Sequence, residues 1–156
     1  MSCNENKHHG SSHCVVDVVK FINELQDCST TTCGSGCEVP FLGAHNTASV
    51  ANTRPFILYT KDGKPFEAFA PIRDKHCTSP IFRVESVDDD SCAVLRVLTV
   101  KHDHDHDDDD DDDHDHHDPI CTFLNEPHAK LKSTSTCLTV DLSCFCAIQC
   151  LRDVSI

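Results

Sequence analysis

From Leu138 onward every second residue is apolar or cysteine: Leu138, Val140, Leu142, Cys144, Cys146, Ile148 and Cys150. Between them stand Thr139, Asp141, Ser143, Phe145, Ala147 and Gln149. Side chains alternate across a strand with a period of two, so the first set shares one buried face of a long strand or of two successive ones. A helix would scatter the same residues around its circumference. The C-terminal segment therefore commits the chain to a sheet. It also predicts burial of Cys144 and Cys146, because a free cysteine on such a face behaves as a small hydrophobe.

Strand signals recur upstream. FILYT (56–60) and PFEAF (65–69) surround Lys61-Asp62-Gly63-Lys64, where Asp-Gly favours a tight hairpin turn. IFRVESV (81–87) and CAVLRVLTV (92–100) surround Asp88-Asp89-Asp90-Ser91, and ICTFL (120–124) reads as a further short strand. One segment has the other period: in CVVDVVKFINELQDC (14–28), Val15, Val18, Val19, Ile22 and Leu25 form an apolar helical stripe, with Asp17, Lys20, Asn23 and Glu24 turned away. Residues 1–13 are polar and read as a flexible arm. At 156 residues the expected architecture is mainly β. It is a single antiparallel β-sandwich or barrel-like domain over 14–156 with one N-terminal helix.

An eighteen-residue run interrupts this domain: KHDHDHDDDDDDDHDHHD, residues 101–118. Of the formal charge of −13, one lysine against eleven aspartates places −10 here and leaves −3 on the rest. The run reads as a long, disordered inter-strand loop, and such loops are inexpensive in closure entropy. Its seven adjacent carboxylates, Asp107 to Asp113, attract hard cations such as calcium diffusely, without the glycine-containing cage of a dedicated site. Its flanks place His102, His104 and His106, then His114, His116 and His117, close enough to chelate zinc, nickel or copper. A hydrated loop without a ligand explains the same composition, and both readings stand. The acidic run and the lack of a basic stripe argue against nucleic acid. No stretch approaches the ~20 apolar residues of a membrane helix.

The cysteines raise a conflict. MSCNENKHHGSSHC lacks the basic start and apolar core of a secretory signal, so synthesis in a cytosol is expected. Yet the chain has twelve cysteines, a density expected of oxidised proteins outside the cell. Structural zinc would favour C-x₂-C knuckles, and none is present, leaving only Cys33 and Cys37 with distant partners as a zinc candidate. A catalytic thiol would need a base, and His45 is the one histidine in a non-repetitive segment that reads as ordered, with no third residue to orient it. The expectation is that the protein is not an enzyme. Cysteines in turns and the arm (Cys3, Cys14, Cys33, Cys37, Cys77) are candidates for disulfides within or between chains.

Three long stretches carry a resemblance: CGSGCEVPFLGAHNTASVANTRPFILYT (33–60), SPIFRVESVDDDSCAVLRVL (79–98) and STCLTVDLSCFCAIQCLRDV (135–154). They resemble the CotY/CotZ spore coat family, most closely its exosporium members ExsY and CotY of the Bacillus cereus group. The resemblance implies a structural protein made in the mother cell that self-assembles into a hexagonal two-dimensional lattice on the spore surface. Its partners would be copies of itself and other coat or exosporium proteins, and no cofactor would be required. Disulfides would cross-link the layer, which resolves the redox conflict. The resemblance makes cross-link candidates of the cysteines as a class: Cys3, Cys14, Cys28, Cys33, Cys37, Cys77, Cys92, Cys121, Cys137, Cys144, Cys146 and Cys150. It assigns no pairs. The competing class is a metal-sequestering protein built on its cysteines and histidines. The family has a short Gly/Ser/Pro-containing connection where this chain has 101–117, so nothing transfers to the run.

Below about pH 6.5 the six histidines of the run gain charge and offset its aspartates, lowering repulsion between assembled copies. Deleting residues 102–117 is expected to flatten the dependence of sheet assembly on salt and on pH in this range. Light scattering across a salt and pH matrix checks it, and an unchanged response would refute it.

Overall fold

The computed structural model describes residues 13–30, 51–71, 77–101 and 119–156. Residues 1–12 of the expected arm, the segment with Cys33, Cys37 and His45, and the run 102–118 lie outside the described residues. Helix α1 spans Cys14–Thr30, as its periodicity predicts. Val15, Val19, Ile22 and Leu25 are buried, Asp17 and Glu24 exposed, and Val16 and Gln26 widen the buried stripe beyond the predicted one.

The strands are β1 (Phe56–Thr60), β2 (Ala68–Phe69), β3 (Thr78–Ser79), β4 (Ile81–Val87), β5 (Cys92–Lys101), β6 (Lys130–Asp141) and β7 (Phe145–Cys150). Five of them form an antiparallel sheet in the order β6-β5-β4-β1-β7, and β2 and β3 form a separate ribbon. The fold is thus mainly β and antiparallel with an N-terminal helix, as expected. Of the expected sandwich or barrel-like arrangement, the described residues show one bent five-stranded sheet and the small ribbon. β1 meets β4 at a single register pair, Phe56↔Phe82, and the sheet turns there. β6 and β7 lie at opposite edges, yet only the 3-10 turn Leu142–Cys144 joins them. Four residue steps reach ~14 Å, whereas the edges of a flat five-stranded sheet stand ~19 Å apart. The sheet therefore curls around its core.

The inner face packs Phe56, Leu58, Phe82, Val84, Leu95, Val97 and Leu142 against Val15, Val19 and Ile22 of α1. On the other face Ile57, Ile81, Leu98 and Val100 meet Phe123, Leu131 and Leu151.

The Asp88–Ser91 turn joins β4 to β5 as predicted: Asp88 N–H donates to the Cys92 carbonyl (2.9 Å), and the Asp88 carboxylate accepts from Cys92 N–H (2.8 Å). The Asp62-Gly63 turn also forms, with Gly63 at φ 79°, a conformation glycine adopts without a Cβ clash. Its expected return strand does not. Pro65 forms one bridge to Tyr59, Phe66 N–H reaches the Leu58 carbonyl, and only Ala68–Phe69 of the expected 65–69 is strand.

The strand expected at 120–124 is instead a short helix, α2 (Pro119–Asn125). Proline is at home at the first helical position, where its N–H would have no intrahelical partner and its φ is already set. Ile120 and Phe123 then share one face, Phe123 fully buried and Ile120 half-buried, while Cys121 and Leu124 are exposed. The Arg152 guanidinium lies 3.8 Å over the Phe123 ring and donates to the carbonyls of Phe123, Glu126 and Ala129. It thereby closes the end of α2 and the approach to β6. The acidic run consequently leads from β5 into a helix, and run and helix together form the insertion between two ladder neighbours, Lys101 and Lys130.

Gln26 joins the layers. Its amide nitrogen donates to the Val84 carbonyl (2.8 Å), and its amide oxygen accepts from Arg54 N–H (3.2 Å). Gln26→Leu leaves both backbone groups without that partner, a loss of about 1–3 kcal/mol. The expected outcome is a Tm lower by roughly 3–10 °C, read by thermal denaturation.

Candidate functional site

The described cysteines are spread over the surface. Cys14 opens α1, Cys77 precedes β3, Cys92 opens β5, Cys121 lies on α2, Cys137 is in β6, and Cys146 and Cys150 are in β7; all seven are exposed. Cys28 lies in α1, and Cys3, Cys33, Cys37 and the six histidines of the run lie outside the described residues. Among the described residues no three His, Cys, Asp or Glu side chains converge as a metal site. What the fold presents is a dispersed array of thiols.

Two expectations for the C-terminal thiols are corrected. Cys144 is half-buried and disulfide-bonded, so it is not a free thiol of the core. Cys146 is exposed, not buried. The alternation holds through Val140 and Leu142, but the 3-10 turn at Leu142–Cys144 resets its phase. A bulge then follows: Tyr59 pairs with Ala147 and Thr60 with Phe145, leaving Cys146 as the extra residue. Its Sγ donates to the Thr60 carbonyl at 3.0 Å. Phe145, whose predicted place was the outer face, packs edge-on against Phe66 at the core (centroids 5.2 Å apart).

Each remaining β-strand thiol has a distinct electrostatic setting. Cys92 stands opposite Asp141 at the end of the β4–β5 turn. Asp88 foremost, then loss of hydration, Asp141 and Asp90 push its thiol pKa above the ordinary value, since each carboxylate disfavours a second negative charge. Cys137 stands opposite Arg96. The Arg96 Nε donates to Glu85 at 2.7 Å and an Nη donates to the Thr134 carbonyl at 3.1 Å. Arg83, paired directly with Arg96 across the strands, reaches the same Glu85 oxygen at 3.5 Å. One carboxylate thus separates two like charges that would otherwise repel. Cys150 sits opposite Phe56 on the edge strand. Although the residue is exposed, crowding at its sulfur raises the thiol pKa; Arg54 opposes this and Asp153 adds to it. Arg54 is itself held by Asp153 through two bonds of 2.8 and 2.9 Å. Composition could not reveal these partners, because they depend on strand register.

The described residues define a thiol-bearing β scaffold whose chemistry is displayed on its outside. The chain belongs to the spore coat protein Z (CotZ) family, whose sequence profile matches residues 1–153. It is 34% identical over 146 residues to Spore coat protein Z of Bacillus subtilis (strain 168), covering 91% of this chain and 90% of that protein. No solved structure matches it. The family places the protein at the spore surface. No helix among the described residues is long and apolar enough to cross a membrane.

Thiolates, not thiols, react with alkylating reagents, so the carboxylates around Cys92 slow its modification. In Asp88→Asn the amide oxygen can still accept from Cys92 N–H, but the charge is gone. Alkylation of Cys92 by iodoacetamide at pH 8 is expected to accelerate roughly two- to fivefold. Quantitative peptide mass spectrometry reads the rate, and no acceleration would refute the assignment of Asp88 as the chief cause.

Proposed function

We propose that the protein is a structural subunit of the spore coat or exosporium, assembling with copies of itself into a two-dimensional, disulfide-cross-linked layer. The observation that carries the reading is the dispersed display of thiols on a scaffold of the spore coat family. Among the described residues, seven exposed cysteines lie on both helices, on the edge strands β6 and β7, beside the β2–β3 ribbon and at the start of β5. A layer needs several contacts per subunit in different directions, and thiols confined to one patch would supply only one. Phe69, 75% exposed on the ribbon that Cys77 adjoins, adds an apolar contact next to a thiol. The role is scaffolding, without catalysis, and other coat proteins are further partners. A hexagonal arrangement fits the reading and follows from the family resemblance. Oxidation after assembly reconciles cytosolic synthesis with a cross-linked product.

The run 102–117 contributes a second property. Repeated over a layer, its carboxylates and imidazoles would hold divalent metal weakly at each copy and in quantity overall.

Electron microscopy of the purified protein with and without reductant is expected to show ordered sheets. Non-reducing electrophoresis of the same material is expected to show a ladder that collapses to monomer on thiol addition. Monomer in both lanes with stoichiometric bound metal would overturn the layer in favour of sequestration.

A further inference from the structure

The ladder Cys92↔Asp141, Ala93↔Val140, Val94↔Thr139, Leu95↔Leu138, Arg96↔Cys137 runs without interruption. Ala93, Leu95, Leu138 and Val140 turn into the inner core. Cys92, Val94 and Arg96, with Cys137, Thr139 and Asp141, therefore share the opposite face of the ribbon. Cys92, Cys137, Thr139 and Asp141 are exposed there, and Val94 is half-buried.

This face is polarised. At one end Cys92 is surrounded by Asp88, Asp90 and Asp141. At the other, Cys137 lies beside Arg96, with Arg83 next in line and Glu85 offsetting one of the two positive charges. Within one chain the two thiols stand four residues apart along the ribbon, ~13 Å, beyond the ~7 Å that a disulfide tolerates between Cα atoms. They cannot join each other without a second copy.

We infer that this face is a self-association surface on which Cys92 of one copy is oxidised to a disulfide with Cys137 of a second. A half-turn about an axis lying between two such faces, and running across their strands, reverses the second ribbon. The acidic end of each copy then meets the cationic end of the other, so a single isologous contact makes the Cys92–Cys137 pairing twice. Val94 and Thr139 in the middle are compact and present no charge to oppose the approach. Charge complementarity selects the partner: Cys92 against Cys92 would bring three carboxylates onto three, and Cys137 against Cys137 would bring guanidinium onto guanidinium. Docking also sets Arg96 of the second copy beside Cys92, offsetting the carboxylates that hold it as a thiol, so oxidation follows recognition. Each bond forms as two thiols lose two protons and two electrons to dioxygen, giving one disulfide and one hydrogen peroxide. The inference rests on the disulfide-linked layer proposed above and names one of its bonds.

The test uses the full-length chain, mixed in equal parts as ¹⁴N and ¹⁵N protein, oxidised in air, alkylated, and digested without reductant. Trypsin with chymotrypsin releases Cys137 apart from Cys144, Cys146 and Cys150. The expected result is a linked Cys92–Cys137 peptide containing one light and one heavy chain. Its yield should fall at least about fivefold in about 0.5 M salt, where the charges are screened. The same fall is expected in Asp90→Lys, a substitution in an exposed turn, and the peptide should vanish in Cys92→Ser and in Cys137→Ser. Multimers whose linked peptides join other cysteines would overturn this pairing and leave the layer standing. Insensitivity of the peptide to both salt and Asp90→Lys would overturn the charge-selected contact. A protein that forms no thiol-reversible multimers would overturn both.

Discussion

The sheet is continuous across a single register pair, Phe56↔Phe82, and one buried amide reinforces it. Gln26 of α1 holds the Val84 carbonyl on the β4 side of this junction and Arg54 N–H just ahead of β1 on the other. The helix is thus fastened across the bend, and its valines fill the concavity that the bend creates. A buried amide is costly unless its groups are paired, so Gln26 favours this geometry over a flatter or sheared one. Further stitches hold the second arm: Arg54 to Asp153, Thr53 to Val154, and Leu151 N–H to the Pro55 carbonyl. Segments distant in sequence are drawn to the same junction, which allows a sheet with only one β1–β4 pair to keep its shape.

How much of this was legible depends on the kind of information each element carries. Helix α1 could be read because Val15, Val18, Val19, Ile22 and Leu25 repeat over several turns, and the β4–β5 hairpin because two alternating runs flank a polar turn. ICTFL was misread as a strand because five residues carry too little periodicity to separate strand from helix. The informative signal was Pro119 at a helix start, with Ile120 and Phe123 three residues apart. The tail was read correctly as strands, and Ile148 packs on the inner core as expected, but the phase was lost locally at Phe145 and Cys146. No alternation pattern encodes a 3-10 turn followed by a bulge, so Cys146 came out on the wrong side. Gln26 was invisible for a related reason: its partners are backbone groups about thirty and sixty residues away.

The candidate site was legible as a class and not as an arrangement. The number of cysteines suited metal binding and later oxidation alike, and only the lack of C-x₂-C knuckles weighed against structural zinc. Their individual characters come from cross-strand neighbours: carboxylates around Cys92, a guanidinium opposite Cys137, a buttressed arginine beside Cys150. Register therefore gives the described strand cysteines different neighbours, and the thiols of Cys92 and Cys150 are both held above their ordinary pKa for different reasons. A layer that oxidised indiscriminately would trap misaligned contacts, whereas graded environments let geometry precede covalent closure.

The β5–β6 ribbon separates two demands along its length. Cys92 and Asp141 mark one end, and Lys101 opposite Lys130 marks the other, nine residues away along β5 or ~30 Å. The acidic insertion leaves from the Lys101 end, away from the Cys92–Cys137 stretch of the ladder. Residues between Lys101 and Pro119 can therefore be exchanged without altering the ladder register around Cys92 and Cys137, while their charge still acts between copies. In the layer proposed above, that junction would be a display port repeated in every copy.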